Sequence, residues 1–170
     1  GYGLSGPFEK YSPQEHADML QVNIVTLTKL TRLLLPILRQ QPAGYILNIG
    51  SSASYQAVPF LSAYAGSKSY VLNFSRGLYQ EFKKTNLSVT CICPGPTDTN
   101  FVNRANVGTK GQKAAERFNM TPQAVAQIAV DSLFRRRPEV ITGGMNKLSA
   151  FFAWLLPKTL VETIAKKLYD

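Results

Sequence analysis

The sequence predicts an α/β fold with a parallel sheet, and three observations carry that prediction. Short apolar runs of strand length recur at Tyr45–Ile49, Leu87–Cys93 and Val140–Thr142. Longer stretches of helical periodicity, over 13–40, 63–84 and 121–136, alternate with them. The first run is a short apolar stretch that fits a strand buried on both faces, and Leu87–Cys93 reads as a second buried strand. Each is bounded by chain breakers, Gly44 and Gly50 for one and Pro94-Gly95-Pro96 after the other. Strands joined through helices are crossover-connected and lie parallel.

Composition agrees. The 170 residues are 45% hydrophobic and 17% charged, enough for one domain with a core and too apolar for a disordered chain. Gly 12 and Pro 10 follow no period, so collagen-like and low-complexity chains are excluded. Cys91 and Cys93 point to one side of a strand, where a bridge would be strained. They read as small buried thiols in a reducing, cytoplasmic setting. Gly1 to Lys10 has no basic segment leading into an apolar run, so no signal peptide is expected. No apolar run reaches the ~18 residues of a membrane span.

The first helix opens at Ser12-Pro13-Gln14-Glu15. Ser12 is the N-cap, Pro13 sits at N1, where its missing N–H costs nothing, and Glu15 completes a capping box. Leu20, Ile24, Leu27, Leu30, Leu34 and Leu38 form its apolar stripe, and Pro36 should kink the helix or end it early. Gln40 to Gly44 is the exit turn, and a polar loop, Ser51 to Ser62, follows the first strand. The second helix runs from Ala63 to about Lys84, with Tyr70, Phe74, Leu78 and Phe82 on one face. Thr97 to Asn119 reads as a mobile polar loop with some helix. Thr121-Pro122 opens a helix to about Arg136, and the tail from Leu148 is apolar, then basic. No domain boundary stands out, so residues 1–170 read as a single domain, with a loop over 97–120 and a tail over 148–170.

Gly1-Tyr2-Gly3-Leu4-Ser5-Gly6 spells a G-x-G-x-x-G phosphate-loop pattern. Such a loop works only between a strand and the helix whose N–H groups hold the pyrophosphate. Neither flanks it here, so the match reads as a coincidental turn-rich segment.

The chemistry-bearing residues lie further on. Tyr64 and Lys68 are i and i+4 on one helix and share a face. A cation beside a phenol favours the phenolate, which makes Tyr64 a plausible general acid/base. Tyr-x-x-x-Lys alone is common by chance, but its surroundings add to it. Ser51 stands thirteen residues before Tyr64, just past the carboxyl end of a buried strand, the edge where doubly wound sheets bind ligands. Pro94-Gly95-Pro96, then Thr97 and Thr99, follow the next strand at that edge. Asn23 interrupts an apolar helix and implies a polar network or a bound water.

Asn23, Asn48-Ile49-Gly50-Ser51-Ser52, Tyr64-x-x-x-Lys68 and Pro94-Gly95-Pro96-Thr97-Asp98-Thr99 together resemble the ordered signature of the short-chain dehydrogenase/reductase family. The resemblance covers residues 1 to about 145 and implies a Rossmann-type doubly wound sheet, here incomplete at about three strands. It implies that Tyr64 is the catalytic acid/base, that Ser51 orients a carbonyl or alcohol, and that Asn23 holds a relay water behind Lys68. It assigns NADP, or NAD, to Tyr64, Lys68, Pro94, Gly95, Thr97 and Thr99, and a substrate lid to 97–119. Gly1 falls where the family's Asn-Asn-Ala-Gly stretch ends, so about three βα units, on the order of 80 to 90 residues, are expected before it. Homodimers or homotetramers through helices 13–40 and 63–84 are also implied.

Other readings compete. A binding or regulatory module could keep these motifs without turnover. Phe151, Phe152, Trp154, Leu155 and Leu156, followed by Lys158, Lys166 and Lys167, resemble a membrane-interface segment. They could equally cover the active-site edge or a subunit contact. The net charge of +9 favours phosphate-bearing partners. Arg135-Arg136-Arg137 comes without aromatic interleaving or a reader motif, so nucleic acid is not indicated. His16, the only histidine, reads as solvated and without partners for a metal.

Overall fold

The computed structural model describes residues 1–97, 105 and 119–169. Three strands, β1 (Gly44–Ile49), β2 (Leu87–Cys93) and β3 (Glu139–Ile141), form a parallel sheet in the order β1-β2-β3. Gly44 pairs with Leu87 and Ile49 with Ile92, while Cys91 pairs with Glu139. The helices are α1 (Pro13–Leu20), α2 (Leu27–Arg39), α3 (Ser62–Glu81), α4 (Pro122–Phe134), α5 (Gly144–Leu155) and α6 (Lys158–Tyr169).

Local caps fall where the residue types put them. Ser12 accepts from the Glu15 amide at 3.2 Å, and Glu15 accepts from the Ser12 amide at 2.8 Å, closing the capping box of α1. Thr121 accepts from the Ala124 amide and opens α4. β2 spans the expected residues, and every one of them is buried.

Four readings need correction. Pro36 does not end α2, which continues to Arg39. Pro36 is exposed, so water can serve the carbonyl that its missing N–H leaves unpaired. The irregularity lies earlier, in a π-helical segment at Gln21–Thr26 between α1 and α2. The stripe expected on α2 is not all interior, since Leu30 and Leu34 are exposed. β1 is not buried on both faces: it forms the sheet edge, and Ile49 is half exposed. On α3 the buried positions are Tyr64, Ala65, Ser67, Lys68, Val71, Leu72 and Ser75, while of the expected face only Phe82 is buried and Tyr70, Phe74 and Leu78 are half-buried. Small residues let the helix approach β2 closely, and the aromatic flank is left half-buried.

The core follows from that approach. Val71 and Leu72 pack on Cys91 and Cys93, while Phe82, Leu87 and Val89 form the next cluster. Both cysteines are free, with Sγ atoms 3.8 Å apart. Asn48 on β1 donates to the Ser75 hydroxyl at 2.9 Å, satisfying two buried polar groups. His16 is half-buried rather than solvated. Its ring stacks on Phe8 at 4.5 Å, and Nε2 lies 3.0 Å from the Phe8 carbonyl oxygen. The tail is helical, as α5 and α6, which the apolar-then-basic pattern did not foretell. No helix among the described residues is long and apolar enough to cross a membrane.

Candidate active site

The site lies where the carboxyl ends of β1 and β2 meet the first turns of α3. The Gly50 amide donates to Ile92 O at 2.8 Å, and the Ser52 amide to Pro94 O at 2.7 Å, so the chain leaving β1 is fixed to the end of β2. A Cβ on Gly50 would lie 2.8 Å from Cys93 Sγ and 3.0 Å from Cys91 Sγ. Only glycine lets the strand end rest on the two thiols. Ser51 then caps a 3₁₀ turn, Ser52–Tyr55, by accepting from the Ala53 amide at 3.1 Å. Accepting there leaves the hydroxyl hydrogen of Ser51 to donate elsewhere.

Tyr64 and Lys68 follow one turn apart on α3, and both are buried. The Lys68 ammonium sits 5.9 Å from the centre of the Tyr64 ring and donates to Ile49 O at 2.9 Å. Burial lowers the Lys68 pKa, opposed by the neighbouring Cys91 and Cys93. The backbone carbonyl at the end of β1 thus holds the cation beside the phenol.

Asn23 occupies the π-helical segment and is 3% exposed. Such wide turns are rare and recur at functional sites. Its amide oxygen accepts from the Tyr2 amide at 3.1 Å, and its nitrogen donates to Tyr2 O at 2.9 Å and to Ser67 Oγ at 3.0 Å. Ser67 in turn donates to Tyr64 O at 2.7 Å. The polar network expected at Asn23 is therefore made with protein groups. It joins the N-terminal segment to the backbone of Tyr64. That segment closes one side of the site: a Cβ on Gly1 would clash with Asn23 Oδ1 and lie 3.5 Å from Lys68 Nζ. No α-helix opens directly after the G-x-G-x-x-G pattern: a 3₁₀ turn, Phe8–Lys10, follows, and α1 starts only at Pro13.

At the end of β2, Thr97 donates to Gly95 O at 3.1 Å, and Gly95 lies against Asn146 of α5. Pro96 O accepts from the Met120 amide at 3.2 Å, so the chain leaves and rejoins this edge at one point. Thr99 and most of the expected loop over 97–120 lie outside the described residues. A cavity of about 420 Å³ opens on another face of α3, between the 3₁₀ turn and the tail, lined by Tyr55, Gln56, Gly66, Ala153, Lys158 and Glu162 among others.

Sequence reasoning missed the residues that tie these parts together. Ser54, Ser67 and Ser69 bond backbone atoms on either side of the site. Tyr55 donates its phenolic hydrogen to Glu139, whose other oxygen pairs with Arg76 at 2.9 Å. Burial, then hydrogen bonding to Cys93 and Glu139, pushes the Tyr55 phenol up. The one available signal was Ser54 standing three residues after Ser51, the spacing of a cap. No group of metal-ligating side chains occurs among the described residues.

A model of the short chain dehydrogenase family matches residues 1–110. The chain belongs to the short-chain dehydrogenase family. Ketoacyl reductase HetN of Nostoc sp. is 29% identical over 143 residues, covering 83% of this chain and 48% of that protein. Very-long-chain 3-oxoacyl-CoA reductase of Anas platyrhynchos is 36% identical over 109 residues, covering 55% of this chain and 35% of that protein. The chain thus spans about half or less of these short-chain dehydrogenase relatives. A short-chain dehydrogenase from Sphingobium yanoikuyae, solved with NADPH, superposes with a TM-score of 0.75 at 24% identity, over 91% of this chain and 60% of that one. The three strands belong to the doubly wound, Rossmann-type parallel sheet of this family.

Proposed function

We propose that this chain carries the proton-transfer machinery of an NADP- or NAD-dependent oxidoreductase that interconverts a carbonyl and an alcohol. The observation behind it is the buried Tyr64–Lys68 pair at the carboxyl edge of the sheet, its ammonium anchored to Ile49 O. In reduction, the Tyr64 hydroxyl hands its proton to the substrate oxygen, and Ser51 donates a hydrogen bond to that same oxygen. Lys68 supplies the positive charge that favours the phenolate left behind. Asn23 holds Ser67 and the N-terminal segment against α3. A bound nicotinamide nucleotide supplies or accepts the hydride. The donor set fits it: the Lys68 ammonium has three N–H donors, one of them on Ile49 O, which suits ribose hydroxyls. Pro94, Gly95 and Thr97 offer backbone and hydroxyl groups for the carboxamide.

Relatives named as a ketoacyl reductase and a 3-oxoacyl-CoA reductase make a 3-oxoacyl thioester the first substrate to try. NADPH consumption with acetoacetyl-CoA tests the reading. Tyr64→Phe should lower turnover by about 10²–10⁴-fold. Unchanged turnover in that variant removes the catalytic role. A full-length protein that consumes no NADPH with this thioester or with simple ketones leaves a binding module as the better description.

Two surfaces favour partners. Leu30, Leu33, Leu34 and Ile37 are exposed on α2, and a second copy of the chain would cover them. Leu33→Glu should then lower the sedimenting mass, and an unchanged mass excludes this face. In the tail, Phe151, Phe152, Trp154 and Leu155 are exposed, and residues 144–169 carry four lysines against one acid. Aromatic side chains beside lysines suit an anionic lipid surface. Co-sedimentation with phosphatidylglycerol vesicles, lost in a chain cut after Gly144, is expected. Equal binding by the cut chain discards the lipid contact.

A further inference from the structure

Ser54 is a small hydroxyl residue on the 3₁₀ turn, 6% exposed, and the proposed chemistry gives it no part. Yet each of its polar atoms is engaged. Its amide donates to Ser51 O at 3.0 Å. Its hydroxyl oxygen accepts from the Ser51 amide at 3.1 Å and donates its hydrogen to Lys68 O at 2.9 Å. Its own carbonyl accepts from the Ser69 hydroxyl at 2.8 Å. One oxygen atom therefore joins the backbone of Ser51 to the backbone of Lys68.

The geometry points to Ser54 as the positioning residue that sets the distance between the serine and the tyrosine–lysine helix, resting on the reading of Ser51, Tyr64 and Lys68 given above. These groups come from two separate elements. Ser51 sits on the turn after β1, while Tyr64 and Lys68 sit on α3. The loop between them, residues 56–61, contains Pro59, Gln56 in extended backbone and Phe60 at φ +65°, and is not itself a regular element. Contacts to β2 fix the turn from one side through the Ser52 amide. On the α3 side, Ser54 and Ser69 make the reciprocal hydrogen bonds between turn and helix. A hydroxyl is the smallest group that can accept from one amide and donate to a second carbonyl at once. Alanine can do neither, and it leaves the half-buried Ser51 amide without this acceptor and Lys68 O without this donor. Two donors aimed at one substrate oxygen lose much of their effect when their separation drifts, because reacting geometry tolerates only small displacements.

The test uses Ser54→Ala and Ser54→Thr, which keeps the hydroxyl, with Tyr64→Phe beside them. Amide hydrogen exchange at Ser51 is read without substrate, and turnover is read with NADPH and acetoacetyl-CoA. Ser54→Ala should speed exchange at the Ser51 amide by at least tenfold and lower kcat by roughly tenfold to hundredfold, with KM changed less than threefold. Ser54→Thr should restore both. The inference is overturned if Ser51 exchange in Ser54→Ala stays within twofold of wild type. It is overturned too if kcat holds while Tyr64→Phe is inactive, since the site then works without the link. If Tyr64→Phe keeps its turnover, the catalytic reading fails first and the positioning role fails with it. Faster exchange in Ser54→Ala, reversed by threonine, would then describe a structural bond only.

Discussion

Helices α3 and α5 make an instructive pair. Both lie at the same edge of the sheet, and both are rich in apolar residues. On α3 the buried positions are Tyr64, Ala65, Ser67, Lys68, Val71, Leu72 and Ser75, four of them polar and none a phenylalanine or tryptophan. On α5 no residue is fully buried, and Met145, Leu148, Phe151, Phe152, Trp154 and Leu155 are exposed. Only Asn146, Ala150 and Ala153 of its outer turns are drawn inward. Burial in this molecule therefore follows fit rather than hydrophobicity. The helix that holds a phenol, an ammonium and two buried serine hydroxyls is built from side chains that allow close approach to β2. The helix with the largest apolar side chains leaves most of them exposed among the described residues.

That contrast breaks first at Leu72. It is buried against Cys91 and Cys93, and Leu72→Ala should cost about 3 kcal/mol in urea unfolding. A loss under about 1 kcal/mol would mean that α3 is not packed as described. The next effect is expected at Asn23. Asn23→Ala removes three hydrogen bonds and strands the Tyr2 amide, for about 2 kcal/mol. Asn23→Asp keeps the acceptor for the Tyr2 amide but loses the donors to Tyr2 O and Ser67, so it isolates the contribution of that one acceptor. Equal stability of wild type and Asn23→Ala would show that the N-terminal segment is held by other contacts.

Lys68 gives a smaller and pH-dependent effect. Burial lowers its folded pKa, so the unfolded chain binds the extra proton between that lowered value and the ordinary one near ~10.4. Wild-type stability therefore gains from this group as pH rises through that window. Lys68→Met has no such group. Its melting temperature relative to wild type should fall steadily as pH is raised from 7 towards 10. A difference that stays flat across this range would mean that Lys68 pays no desolvation penalty in the fold.

The sequence was most legible where structure is local. The Ser12 and Thr121 caps and the ends of β2 depend on residues within one turn or one strand. Asn23 stood out as a polar group in an apolar helix, Tyr64 and Lys68 by their one-turn spacing, and Ser51 by its place just past a strand end. What escaped was decided by neighbours distant in sequence. The inward face of α3 is chosen by the thiols of β2, and β1 is half-buried because it forms the sheet edge. Pro36 is tolerated because its side of α2 faces solvent. Ser54 was silent because a serine in a polar loop looks the same whether it bonds water or bridges two backbones.

The smallest expected effect tests the other half of the comparison. Trp154 is 78% exposed and is the only tryptophan in the chain. Trp154→Ala should leave unfolding free energy within about 0.5 kcal/mol of wild type, as exposed substitutions do. Because no other indole is present, the wild-type tryptophan emission reports α5 alone. In dilute buffer it should be that of a solvated indole, and iodide should quench it freely. Added phosphatidylglycerol vesicles should shift the emission to the blue and shield it, while phosphatidylcholine vesicles should do so less, because Lys147, Lys158, Lys166 and Lys167 have no anionic headgroup to meet. A blue-shifted, unquenched tryptophan in buffer alone, at a protein concentration where the chain sediments as a dimer, would instead place a second copy over α5. The two large-residue helices, α2 and α5, would then share one kind of partner.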